Sequence, residues 1–231
     1  MADTHIKPGF ASHRLGIIAL IALMIFAVFY AGTWGVASVG HAFTMWHFES
    51  WLKSTNTPEV RTWKLAHEAL RWSIKLDENN ADYRNDMGRF YEYTAIHMIE
   101  HESQEKPLLE ISRSYFHDAV RLRPSWGLAW ANLALIEHRM GIHDESFYQS
   151  MLRAIEFGAS VPAVQLTITE LAVANWRQMT VPMRKKVLLV IRVGLKSPWK
   201  GDFVKIIVHY GMAPYFCLVL PSPERDRLCN S

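Results

Sequence analysis

Cysteine is scarce in this chain: two residues among 231, Cys217 and Cys229, both near the C-terminus. They stand 12 apart, so the spacing of a Cys-x-x-Cys redox pair is missing. Large net charge is missing as well. The formal value of +3 is too small to imply a nucleic-acid partner. Strand signals are few. Gly-x-Ser-x-Gly, Gly-x-x-x-x-Gly-Lys-Ser/Thr, Gly-x-Gly-x-x-Gly and His-Glu-x-x-His are all absent, and the carboxylates are scattered. Beside the repetitive helical pattern of the middle of the chain, these absences argue against an enzyme, and no cofactor is expected.

The most informative absence is local. No Asp, Glu, Lys or Arg lies between Arg14 and Glu49, and Leu15–Tyr30 reads LGIIALIALMIFAVFY. About 20 apolar residues in a helix cross a hydrocarbon core of about 30 Å. The sequence therefore predicts a membrane span over residues 15–36, after a short N-terminus of residues 1–14. Trp34 and Trp46 fall on the far side, where indoles favour the headgroup level. Lys7 and Arg14 precede the span, and the nearest basic residue beyond it is Lys53. The positive-inside rule then puts the N-terminus in the cytoplasm and the remainder outside. A cleaved signal peptide is the rival, with Gly40-His41-Ala42 as small-residue cleavage context. The apolar run exceeds a secretory core of about 7–15 residues, which favours a retained anchor.

If that orientation holds, the cysteines face an oxidising compartment. A bridge between Cys217 and Cys229 would tie down a tail containing Pro214, Pro221 and Pro223; two unpaired thiols are the alternative.

Past a linker at 37–58, the chain reads as helices. In Glu59–Leu76, Trp63, Ala66, Leu70, Ser73 and Ile74 recur at three- and four-residue steps. Ala81–His101 carries Met87-Gly88, Tyr91 and Ala95. Leu109–Leu122 carries Ser112, Phe116 and Ala119, and Pro124 stops it. Ser125–Met140 carries Trp130, Leu133 and Ala134 before Gly141, and Asp144–Phe157 ends at Gly158.

Residues 59–158 resemble the tetratricopeptide repeat, a helix–turn–helix unit of about 34 residues. With Gly88 at the eighth position, Ala81 opens a repeat. Ala66, Leu70 and Ser73 then take the twentieth, twenty-fourth and twenty-seventh positions of the one before. Phe116, Ala119 and Pro124 fill later slots of the same repeat. The next opens at Gly127, with Trp130, Leu133 and Ala134 in place. Gly88 to Ala119 is 31 residues, which implies an insertion of 12 in the turn, including Glu102–Pro107. Glu137 stands where an aromatic is usual. Residues 159–213 continue as a degenerate hairpin, with Pro162 and Pro182 in first turns and a cap over Asp202–Tyr210. Residues 214–231 are a tail. The fold expected is all-α: one transmembrane helix, then a tetratricopeptide-like solenoid.

The resemblance also implies where a partner sits. First helices line the concave side, and the groove positions are Asp82, Asn85, Arg89 and Glu92 in one repeat and Leu128, Ala131, Leu135 and His138 in the next. The polar ones, with His138, are the candidate partner-binding residues. Residues 181–205 hold Arg184, Lys185, Lys186, Arg192, Lys196, Lys200 and Lys205 against one acid, Asp202. This is either a solvated face or a patch for an anionic partner, a lipid headgroup or an acidic glycan. His97 and His101 are four apart on one helix and could reach one metal. Without a third ligand beyond Glu100, Glu102 or a distant His, they read as solvated, and no metal site is expected.

In layout (length, single anchor, degenerate repeats, Cys-bearing tail) the chain is similar to the VpsP-type proteins encoded with bacterial exopolysaccharide machinery. That resemblance implies an inner-membrane protein with a periplasmic domain. It would be an accessory in polysaccharide assembly or export that acts by holding protein partners. An assembly factor for a cytochrome, pilus or secretion complex is the alternative.

Overall fold

The computed structural model describes residues 9–54, 56–99 and 102–229. The described residues are all helical apart from turns and connections. Two compact units divide the chain, residues 1–79 and 80–231.

The first unit is a hairpin of α1 (Gly9–Lys53) and α2 (Val60–Leu76). Nothing in α1 breaks a helix, and it runs on for 45 residues. Its apolar first part is exposed along Leu15–Tyr30. Burial begins at Ala37 and recurs at Thr44, Phe48 and Trp51, a helical period. On α2 the buried residues are Ala66, Leu70, Ser73 and Ile74. A Cβ on Gly40 would lie 2.7 Å from Ser73 Oγ, and Thr44 Oγ1 donates to the Ala66 carbonyl at 2.8 Å. The linker expected at 37–58 is therefore helix as far as Lys53. The same small and apolar residues that look like a connection in sequence form the first helix of the hairpin. Ala66, Leu70 and Ser73 pack as second-helix residues against it, so the domain boundary expected at residue 59 falls inside a packed pair. By length and composition α1 could cross a membrane.

The second unit stacks α3 (Ala81–His97) and α4 (Glu102–Leu122), α5 (Gly127–Arg139) and α6 (Glu145–Gly158), then α7 (Pro162–Ala174) and α8 (Val181–Lys196). Asn80, Asp144 and Thr180 cap three of these helices, each side-chain oxygen accepting from backbone N–H groups of the first turn. Proline opens α7, where its fixed φ fits and no bond is lost. Gly141 ends the α5 turn at φ +73, a left-handed conformation that favours glycine. Close helix approach depends on the small residues. Phe116 lies across Gly88 and Ser112 Oγ donates to the Gly88 carbonyl at 2.7 Å. A Cβ on Gly127 would lie 2.5 Å from the Gly158 backbone nitrogen.

The 12-residue insertion is not a turn. Glu102–Pro107 is helical and extends α4 at its N-terminal end, and Pro107 lies inside that helix. Beyond α8 come α9 (Lys200–His209), α10 (Ala213–Val219) and α11 (Glu224–Cys229). Residues 214–231, expected as a tail, thus contain two short helices, the first opened by Pro214. Phe203, Phe216 and Leu228 place them on the core of α5–α8. Helices α9 and α10 meet at 119°, so their apolar residues do not form one straight span.

Candidate functional site

The first helices α3, α5 and α7 lie side by side, and polar side chains tie them across one face. Asn132 Nδ2 donates to Asn85 Oδ1 at 2.9 Å. Arg89 pairs with Asp86 at 3.1 Å and Arg139 with Glu92 at 3.1 Å. Asn175 Nδ2 approaches His138 Nδ1 at 3.2 Å, and His143 Nε2 approaches the same nitrogen at 2.8 Å. Tyr210 donates to Glu170 at 3.4 Å. Burial pushes the Glu92 carboxyl above its usual range, against the pull of Arg139 and Arg89. Burial also lowers the His138 pKa, helped by His143 and Arg139 and opposed by Glu170.

The predicted groove residues therefore separate. Asp82 is exposed and sits within 3.6 Å of Arg123. Arg89 and His138 are partly exposed. Asn85 is 2% exposed and Glu92 is mostly covered, so these two hold helices together more than they face solvent. The sequence reading missed Asn132, Arg139, His143, Glu170 and Asn175, because their roles depend on which helices become neighbours.

The basic segment also separates. Arg192 Nε and Lys196 Nζ each meet Glu224 at 2.9 Å, and Glu224 is 1% exposed. Arg184 donates to the carbonyls of Trp176 at 2.9 Å and Arg177 at 3.1 Å, closing the end of α7. Arg184, Arg192 and Lys196 are thus engaged within the chain. Of the expected anionic patch Lys185 and Lys186 are exposed at the start of α8, and Lys200 is exposed beyond its other end. Cys217 on α10 and Cys229 on α11 are joined as a disulfide, their Cα atoms 6.1 Å apart. His97 packs on Tyr93 at 4.6 Å between ring centres; His101, Glu100, Lys7 and the chain ends lie outside the described residues. Among the described residues, no three His, Cys, Asp or Glu side chains converge on a metal position.

A cleft of about 580 Å³ lies between α4 and the α5–α6 turn, bordered by Lys106, Glu110, Arg113 and His117. Its charges are of mixed sign, and Arg113 is held from behind by Glu137 at 2.8 Å. Burial and Arg113 lower the His117 pKa.

Compared with known proteins, the chain matches no family model and no curated protein. Among solved structures it is similar to a thermophilic tetratricopeptide-repeat protein of Thermus thermophilus. The TM-score is 0.55 and the identity 16%, over 84% of this chain and 96% of that one. At that identity the likeness defines the fold: an all-α, tetratricopeptide-like helical repeat.

Proposed function

We propose that the chain is a membrane-anchored scaffold of the bacterial envelope that works by binding protein partners and not by catalysis. One observation carries the reading. The face formed by α3, α5 and α7 is a polar surface whose side chains are locked to one another between helices, as in Asn85–Asn132, Glu92–Arg139 and His138–Asn175. Such a surface is preorganised, and preorganisation lowers the ordering cost of binding. Asp82, Arg89, His138 and Glu170 are the groups on it that a partner can reach. Helix α1 supports the anchor, since its apolar part is exposed and uncharged from Leu15 onward. The layout resemblance to VpsP-type proteins makes exopolysaccharide assembly or export the pathway, with the domain in the periplasm. Another envelope assembly is the alternative client.

A photo-crosslinking residue at Glu170 tests the binding face in cells. An adduct from Glu170, with none from the exposed Glu156 on α6, is the expected result. Equal labelling at both positions would contradict the groove. Deleting the gene should lower polymer secretion while nucleotide-sugar levels stay constant; unchanged secretion would remove the polysaccharide role. Alkaline phosphatase fused after Ser231 should be active, and an inactive fusion would reverse the topology.

A further inference from the structure

The outward face of α8 has a composition that the fold does not use. Pro182, Lys185, Lys186, Leu189, Val193 and Lys196 fall within about 100° of one another around the helix axis. The opposite side, with Val187, Ile191 and Leu195, is fully buried. Leu189 is 59% exposed and Val193 54%. They border an apolar groove of about 310 Å³ shared with Ile155 of α6 and Ala159 just past its end, with Lys186 at its edge. Trp199, at the turn into α9, is 51% exposed and precedes Lys200. Lys185, Lys186 and Lys200 are exposed, and among the described residues they form no ion pair.

We propose that this face of α8, together with Trp199, is a lipid-contact surface that lies on an anionic bilayer. The proposal rests on the anchored reading above. Aliphatic residues in the middle, lysines toward both ends and an exposed indole are the composition of interfacial helices. Each lysine near an anionic surface favours the bound state about fivefold. Two aliphatic residues and one indole would hold a free protein weakly. A covalent tether to the same membrane raises the effective concentration to about the millimolar range, where a weak patch suffices. A partner helix fits less well. Helix-in-groove recognition uses three or four anchors along a groove, and of the exposed aliphatics of α8 (Val181, Leu189 and Val193) only Leu189 and Val193, one turn apart, border the groove.

The test uses the full chain in lipid nanodiscs, one set of phosphatidylcholine and one with phosphatidylglycerol at about one part in three. Acetylation of Lys185, Lys186 and Lys200 is followed by mass spectrometry. The expected result is about threefold or more slower labelling in the anionic discs, with Lys106 on α4 unchanged. The difference should vanish at about 1 M salt, where the Debye length is about 3 Å. Leu189→Asp with Val193→Asp should abolish it. Because both positions are exposed, the melting temperature should stay with the parent. If that variant misfolds, Lys185→Gln with Lys186→Gln makes the same test through Lys200. Equal labelling in both discs overturns the proposal and leaves the face to a protein partner. If the chain co-elutes with neither disc, the anchored reading falls and the proposal falls with it.

Discussion

The ring of Phe116 lies directly across Gly88: a Cβ there would sit 2.7 Å from Cε1 and 2.8 Å from Cδ1. Phe116 is fully buried on the neighbouring helix, so its ring cannot swing out to solvent without losing that burial. Gly88→Ala should therefore destabilise, by about 1–3 kcal/mol as for other overpacked sites, although alanine is the better helix former. In a unit of this size each kcal/mol lowers the melting temperature by about 2–4 °C. Gly201 on α9 is the control, because a Cβ there meets nothing within 4 Å. Gly201→Ala should hold or slightly raise the melting temperature. Circular-dichroism melts of the two variants in detergent decide it. Equal melting would show that α3 and α4 do not approach as described.

Glu224 fastens α11 to α8. It is 1% exposed and accepts from Arg192 and Lys196, both at 2.9 Å, and these partners hold its pKa at about 2. The folded value lies below the ordinary 4.5, so the stability it contributes is complete above that pH. It is lost as pH falls from there toward 2. Glu224→Gln should be less stable at neutral pH and should show a shallower loss between about pH 4.5 and 2. Denaturant titrations across that window give the slopes. Parallel slopes for parent and variant would exclude Glu224 as the titrating group.

The repeat was readable wherever a small residue met a large one. Gly88 with Phe116, and Ala134 at its packing position, are local patterns that a helical period exposes. The hairpin of α1 and α2 was half readable. Ala66, Leu70 and Ser73 announced a second helix, but its partner was hidden inside α1. There the apolar run and the first repeat helix share one uninterrupted helix, and composition changes without a break. The insertion was placed in the turn, because the polar stretch ending in Pro107 reads as a loop, and yet Glu102–Pro107 belongs to α4. The candidate sites were legible least. Charges at 184, 192 and 196 look free along the chain. The Trp176 carbonyl reaches Arg184 across the connection from α7 to α8, and Glu224 reaches Arg192 and Lys196 only when the last helices fold back.

His138 should act as an acid-sensitive lock on the groove face. Asn175 Nδ2 can only donate, so in that contact His138 Nδ1 accepts, while the 2.8 Å contact with His143 Nε2 runs in the direction the tautomer sets. A proton on Nδ1 removes the bond from Asn175. Burial, His143 and Arg139 lower the pKa, and Glu170 works against them. A histidine with a depressed folded pKa binds fewer protons folded than unfolded. Stability therefore falls as pH drops below the ordinary 6.5 toward the folded value. A proton NMR titration should place His138 below 6.5, and His143→Gln should move it upward. A titration at or above the ordinary value would remove the lock.

Glu137 occupies the place where the repeat usually carries an aromatic, and it does so with no exposure at all. Arg113 donates to its Oε1 from Nε at 3.2 Å and from Nη2 at 2.8 Å, while Ser146 and Ser150 add hydroxyls at 3.3 and 3.1 Å. The two partners are not equivalent, since the Arg113 side chain is 30% exposed and Glu137 is not. Removing Glu137 leaves a guanidinium that water can reach. Removing Arg113 leaves a buried carboxylate with two hydroxyls. Arg113→Met should therefore cost about 3–5 kcal/mol. Glu137→Gln keeps the volume and one acceptor and should cost about 1–2 kcal/mol. The double variant Arg113→Met with Glu137→Leu should recover most of the loss, because apolar residues of similar size often replace a buried pair without penalty. With Glu137→Leu alone as the fourth variant, urea denaturation of the two singles and the double closes the cycle, and the coupling should be strongly non-additive. If Arg113→Met is no worse than Glu137→Gln, the pair is not what fills the missing aromatic's place, and the serines carry Glu137 alone.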